Sequence, residues 1–233
     1  MSSALPSTAL IVGASRGLGL ALAAEYLKRG WQVIATVRGD SHTRLHDLAA
    51  SAGGKLEVAR VDITVDDEVA ALRRQLAHRR IDLLFVNAGI AIDPDTAIGD
   101  VRTEDFTHMM ITNALSPMRV IEALQTLVPS SGTIAAMSSD LGSVADNVDG
   151  GWETYRASKA ALNTLMRSFA ARHAGDARCL LLMAPGWVRT DMGGPDAELS
   201  VEESIPRVVD TIAAQAGHAG LRYLDYRGRT VPW

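Results

Sequence analysis

The sequence predicts one doubly wound α/β domain, a parallel sheet with helices on both faces. Short apolar, β-branched runs alternate with longer amphipathic stretches along the whole chain. The runs are almost continuously apolar, as in Asp82-Leu83-Leu84-Phe85-Val86, which suits a sheet buried on both sides. A glycine-rich turn, Gly13-Ala14-Ser15-Arg16-Gly17-Leu18-Gly19, joins the first run to the first amphipathic stretch.

The pattern places strands over 9–12, 31–37, 55–61, 81–86, 132–137, 178–184 and 221–224. Helices are predicted over 18–28, 45–52, 66–78, 104–127, 153–173 and 201–216. Gly30 stops the first helix, and Asp66 and Asp67 place negative charge at the positive end of the third. No linker, internal repeat or low-complexity segment interrupts the order, so residues 1–233 read as a single domain.

Composition narrows the function classes. The chain is 47% hydrophobic and 21% charged, which is globular, and its 5% aromatic content leaves Ala, Val, Leu and Ile to build the core. A net charge of −4 with scattered Lys and Arg argues against a nucleic-acid or anionic-membrane surface. The lone Cys179 sits in a predicted buried strand, where packing outweighs thiol chemistry. With no basic n-region and h-region at the start and no long apolar run, the expectation is a soluble cytoplasmic protein. His42 and His46 share a helix face but have no third partner, so no metal site is expected.

The glycine turn is a phosphate cradle in waiting. Gly allows positive φ and close backbone approach, and free N–H groups at a helix start face an anion such as a dinucleotide pyrophosphate. An NAD site usually has a carboxylate at the tip of the second strand. Here that strand ends Ala35-Thr36-Val37-Arg38, and Arg16 adds a second guanidinium from the turn. Two arginines suit a 2′-phosphate, so NADP(H) is favoured over NAD(H), with Asp40 falling past the strand tip.

Tyr155 and Lys159 are four apart at the start of a helix and so share one face. An ammonium beside a phenol favours the phenolate, which suits a proton donor or acceptor working on an alcohol oxygen. Ser138 and Ser139 end the fifth strand, where open α/β sheets place their ligands.

Together these motifs resemble the short-chain dehydrogenase/reductase family over nearly the whole chain. The resemblance is carried by Gly13-x-x-x-Gly17-x-Gly19, Asp62, Asn87-Ala88-Gly89, Asn113, Ser139, Tyr155/Lys159 and Pro185-Gly186-Trp187-Val188-Arg189-Thr190. It implies a Rossmann fold with a seven-stranded parallel sheet and an active tetrad of Asn113, Ser139, Tyr155 and Lys159. Ser15, Arg16, Leu18 and Arg38 would then contact the cofactor, with Asp62 and Ile63 at the adenine. Asn87, Ala88 and Gly89 would support the adenosine side. Pro185, Gly186, Val188 and Thr190 would cover the nicotinamide, while Tyr155 and Lys159 also touch the cofactor. Pro117 has no N–H for the Asn113 carbonyl, which leaves that oxygen free for the family's proton relay.

Two departures stand out. Val12 occupies a position often held by Thr in the family, which implies a looser turn, and the segment after Thr190 is short, which implies an open site. The brevity of the chain, Gly150-Gly151-Trp152 and the ending 224–233 resemble the C-factor and sniffer-like carbonyl reductase branch. The resemblance implies an NADP(H)-dependent reductase of a small carbonyl compound, or the reverse oxidation of an alcohol. A cofactor-binding signalling or scaffold protein is the alternative, and the complete tetrad argues against it. Trp152 and Trp187 flank the site as pocket or packing residues. Apolar residues on several sides of the 153–173 helix (Ala160, Ala161, Leu165, Met166, Phe169, Ala170) suggest a homodimer or homotetramer.

Overall fold

The computed structural model describes residues 6–233. Seven strands form one parallel sheet: β1 Thr8–Val12, β2 Gln32–Val37, β3 Leu56–Arg60, β4 Leu83–Val86, β5 Thr133–Met137, β6 Cys179–Ala184 and β7 Gly220–Asp225. Their order is β3-β2-β1-β4-β5-β6-β7, so the winding reverses between β1 and β4. These two pair from Ala9 with Leu83 to Val12 with Val86, and a crevice opens beyond their carboxyl ends.

Alternation along each strand divides the core in two. Leu10, Val12, Leu84, Val86, Ile134, Ala136, Leu180 and Leu182 pack on one face. That layer is covered by α3 Asp66–Gln75, α5 Ser116–Leu124 and α6 Glu153–Arg172, through Leu72, Ile121, Leu162, Met166 and Phe169. Ala9, Ile11, Leu83, Phe85, Ala135, Leu181 and Met183 pack on the other. Here α1 Gly17–Lys28, α2 Arg44–Ser51 and α7 Val201–Ala214 contribute Leu22, Tyr26, Leu45, Val208 and Ile212. Each apolar strand residue therefore meets a helix, which is why the strands lack a polar stripe.

The long helix expected over 104–127 is broken. It runs as α4 Thr103–Met110, a wider π-turn over Ile111–Leu115, then α5, with a 3-10 turn at Gln125–Leu127. The Ser116 N–H donates to the Ile111 carbonyl, five residues back, and Pro117 lies at the start of α5. A proline with no N–H and a ring that crowds the preceding turn explains why the helix widens there.

Cys179 is buried in β6, as expected of a packing residue. His42 and His46 serve α2: His42 pairs with Asp47 at 2.7 Å, and His46 Nδ1 accepts the Thr43 N–H at 3.1 Å. Among the described residues, no helix is long and apolar enough to cross a membrane.

Candidate active site

The glycine turn is shaped by close approach. Gly13 has φ +88°, and a Cβ there would lie 2.7 Å from the Ala88 Cα. A Cβ on Gly19 would stand 2.1 Å from the Gly13 carbonyl oxygen, so only glycine lets α1 seat against the turn. The turn is not loose despite Val12. The Gly13 N–H donates to Thr36 Oγ1 at 3.0 Å, and the Asn87 amide donates to the Gly13 carbonyl at 2.7 Å. The Val12 carbonyl accepts N–H groups from Asn87 at 2.9 Å and Ala88 at 3.0 Å. Thr36 thus supplies from β2 the hydroxyl support that Val12 lacks.

A cavity of about 630 Å³ opens at the carboxyl ends of β1, β4 and β5. Gly13, Ser15, Arg16, Gly17 and Leu18 line one end, with Arg38, Asp62 and Ile63. Asn87, Ala88 and Gly89 line its floor, and Pro185, Gly186, Val188 and Thr190 its far wall. Ser139, Tyr155 and Lys159 meet at the other end. Gly19 and Asn113 stand outside the lining and act from behind it.

At the nucleotide end the charges are sorted. Arg38 is exposed at the cavity, whereas Asp40 lies off it and pairs with Arg60 at 3.4 Å. Arg16 reaches across the mouth to Asp191, Nη1 to Oδ2 at 2.5 Å, and both are exposed. Burial works against the Asp62 carboxylate, but hydrogen bonds from the Thr64 N–H and hydroxyl outweigh it, helped by the Arg38 charge. Asp62 is therefore held below the usual carboxylate range.

At the other end the groups are buried. Lys159 donates to the Met137 carbonyl at 2.9 Å and sits 5.7 Å from the centre of the Tyr155 ring. Burial pushes Lys159 down to about 8. It pushes the Tyr155 phenol up to about 12, against hydrogen bonding with Ser139. The shift of Tyr155 is opposite to the one expected from Lys159 alone: burial of the phenolate dominates, and Tyr223 and the Asp140 charge add to it.

Asn113 is fully buried, and its side chain is a strut. Its Oδ1 accepts the Ile90 N–H at 2.8 Å, and its Nδ2 donates to the Ile90 carbonyl at 2.8 Å and to Ser158 Oγ at 3.0 Å. Ser158 in turn donates to the Tyr155 carbonyl at 2.7 Å, so Asn113 ties the loop after β4 to the first turn of α6.

Several supports went unseen in the sequence. Ser138 donates to Asn163 at 2.7 Å, Asn163 to the Gly142 carbonyl at 3.1 Å, and the Tyr223 hydroxyl to the Ser139 carbonyl. The Thr112 hydroxyl, beside Asn113, lines the cavity buried and without a protein partner. Asn163 lies on the same α6 face as Tyr155 and Lys159, a signal available in the spacing; Tyr223 on β7 offered none.

The short chain dehydrogenase family profile matches residues 7–199. The chain is 40% identical to the C-signal protein of Myxococcus xanthus over 158 residues, 66% of this chain and 93% of that one. A short-chain dehydrogenase/reductase of Burkholderia multivorans with bound NADP superposes with a TM-score of 0.97 at 57% identity, covering 98% of this chain and 100% of that one. The carbonyl reductase Sniffer of D. melanogaster superposes with a TM-score of 0.86 at 30% identity, covering 99% and 100%. With the cradle, the cavity and these likenesses in agreement, the chain belongs to the short-chain dehydrogenase/reductase family of oxidoreductases.

Proposed function

We propose that this protein reduces a small carbonyl compound to its alcohol with NADPH, and runs in reverse with an alcohol and NADP+. One observation carries the reading: Ser139, Tyr155 and Lys159 line the same cavity as the glycine cradle and the two arginines. The residues fit this cofactor. A Cβ at Gly13 would strike Ala88 and one at Gly19 the Gly13 carbonyl, so the cradle keeps its shape only with glycine; Arg38 stands where an NAD site has a carboxylate, and Asp40 is turned to Arg60. The NADP-bound Burkholderia structure supports the same choice.

In this reading the N–H groups opening α1 hold the pyrophosphate, with Ser15 and Leu18 beside them. Arg16 and Arg38 grip the 2′-phosphate, and Asp62 and Ile63 receive the adenine. Residues 185–190 would cover the other end, with Val188 and Thr190 holding the carboxamide. When bound, the nicotinamide supplies or accepts hydride.

Ser139 donates a hydrogen bond to the substrate oxygen and fixes the carbonyl beside Tyr155. A phenol held protonated by burial is an acid at neutral pH, so Tyr155 gives its proton to the developing alkoxide. Lys159 faces the resulting phenolate with a positive charge. The phenolate would then regain its proton from Lys159, and Lys159 from solvent through a water held on the backbone oxygen of Asn113, which Pro117 leaves without an i+4 donor.

The test is NADPH oxidation against a panel of aldehydes, ketones and diketones, native protein beside Tyr155→Phe. Turnover that depends on Tyr155 is expected. Cofactor binding with no tyrosine-dependent turnover on any member would overturn the reading.

The proposal extends to assembly as a homodimer or homotetramer. A shallow apolar groove of about 390 Å³ runs between Leu115 and Leu165, both about two-fifths exposed, on the face made by α6 and the π-turn. Light scattering of the native chain should give a multiple of 24.8 kDa, and Leu165→Glu should reduce it.

A further inference from the structure

We infer that the substrate end of the cavity takes carbonyl compounds with a flat apolar body that are uncharged or cationic, with Asp140 turning anionic ones away. The inference rests on the reductase reading and adds a substrate class to it.

Charge is distributed unevenly along the cavity. Its guanidinium groups, Arg16 and Arg38, both belong to the end formed by the β1 and β2 tips. Beyond Ser139 the lining turns apolar and aromatic, with Leu141, Trp152, Trp187 and Met192, and of its two carboxylates Asp191 is paired with Arg16, which leaves Asp140. Lys159, the cation nearby, is buried and donates to the Met137 carbonyl.

Asp140 is held in place and left unneutralised. It is the first residue of a 3-10 turn, Asp140–Gly142, that Ser139 caps by accepting the Leu141 N–H at 3.2 Å. Arg229, whose positive charge Asp140 feels, is bonded to Asp225, Nε to Oδ2 at 2.6 Å, and the Asp225 carboxylate offsets it. Among the described residues Asp140 has no salt-bridge partner, and its charge is felt at the Tyr155 phenol. A substrate placed for Ser139 and Tyr155 therefore approaches a negative group that is exposed to solvent but adjoins the buried phenol, and a second negative charge is repelled there and a positive one attracted.

The two indoles set the shape. Trp152 has φ +52° and ψ +33°, after Gly150 at φ +69° and Gly151 at φ +67°, so three successive residues are left-handed. Strain in a bulky residue persists where the surroundings impose it, and here it sets the indole edge-on to the Tyr155 ring at 5.6 Å. Trp187 donates its Nε1–H to the Gly193 carbonyl at 2.8 Å, which pins its ring in the loop after β6. Indoles stack on flat apolar bodies and attract cations over their faces, so they and Asp140 favour the same substrates.

Three probes of one shape test this: benzaldehyde, 4-carboxybenzaldehyde and 4-(trimethylammonio)benzaldehyde, each with NADPH. Native protein should show the lowest kcat/KM for the carboxylate. The cation-to-anion ratio should fall on the order of tenfold in Asp140→Asn. Comparing ratios between the two proteins cancels the intrinsic reactivity of each aldehyde. A second measurement is independent of turnover: indole fluorescence of the NADP+-loaded native protein, titrated with the three matching benzyl alcohols. The carboxylate should bind most weakly. If no aldehyde is reduced but this preference holds, the reductase reading falls and the substrate-end assignment stands. Equal affinity for the carboxylate and the cation, or a ratio unmoved by Asp140→Asn, would overturn the inference.

Discussion

The two ends of the cavity are built by different means. The nucleotide end is made of backbone: glycines at 13, 17 and 19, N–H groups at the start of α1, and exposed arginines around them. The chemistry at the substrate end rests on two buried side chains, Lys159, which donates to the Met137 carbonyl, and Tyr155, which meets Ser139. A backbone cradle tolerates water and varied side chains but no added methyl. A buried polar pair tolerates volume changes poorly and responds to every charge nearby. Substitutions at the two ends should therefore fail in different ways.

The largest effect should come from Tyr155→Phe. The ring and its contact with Trp152 remain while the transferable proton is lost, so kcat should fall about a thousandfold. The NADPH dissociation constant should hold within about threefold, as read by quenching of protein fluorescence. A parallel collapse of cofactor affinity would mean the two ends are not separable. Gly19→Ala should do the reverse. Its Cβ would meet the Gly13 carbonyl oxygen at 2.1 Å, so the turn must shift. The expected loss is about 2 kcal/mol or more of stability, with NADPH binding weakened far more than kcat at saturation.

That contrast also explains what the sequence disclosed. The glycine turn, the alternation of elements and the Tyr155–Lys159 spacing were legible because each is a short-range constraint on φ or on a helix face. The supports were not. Thr36 lies 23 residues from Gly13, Asn163 lies 25 from Ser138, and Tyr223 lies 84 from Ser139. No spacing rule links residues brought together only when strands align. Val12 suggested a looser turn for the same reason, since its substitute comes from another strand. The shift of Tyr155 was misjudged because i to i+4 geometry reveals a neighbour but not the desolvation of both groups. The π-turn at Ile111–Leu115 was half legible: Pro117 marked the place, and the widening needed the fold.

The next effects should sharpen the distinction between exposed and buried charge. Arg38→Ala removes an exposed guanidinium, screened by solvent, so NADPH affinity should fall only about tenfold. NADH affinity should stay put, and equal loss for both would mean the β2 tip does not read the 2′-phosphate. Lys159 is the opposite case. Its folded-state value of about 8 lies below the ordinary 10.5, so the unfolded chain binds the proton more tightly. Below about pH 8 the buried ammonium is a full burden on stability, and that burden lifts as pH rises toward 10.5. Lys159→Met should therefore be inactive yet melt higher than native protein at pH 7. The gap should narrow by pH 10; a variant less stable at both would sink the account.

The smallest effect should be that of Tyr223→Phe, and it probes a support with no local signal. Tyr223 is buried, its ring packs 5.5 Å from Trp233, and its hydroxyl donates to the carbonyl of Ser139. Phenylalanine keeps the ring and deletes the donor. The Ser139 carbonyl also accepts the Gly142 N–H at 2.8 Å, so it is not orphaned. The stability loss should therefore stay near about 1 kcal/mol, the net worth of one hydrogen bond. The Ser139 hydroxyl should nevertheless be less well aimed, because one of the two bonds fixing its backbone is gone. Turnover should fall several-fold at unchanged NADPH affinity, and amide exchange across 138–143 should quicken. Unchanged kcat together with unchanged exchange would show that the 3-10 turn holds Ser139 without help from β7. The substrate end would then be as locally determined as the glycine cradle.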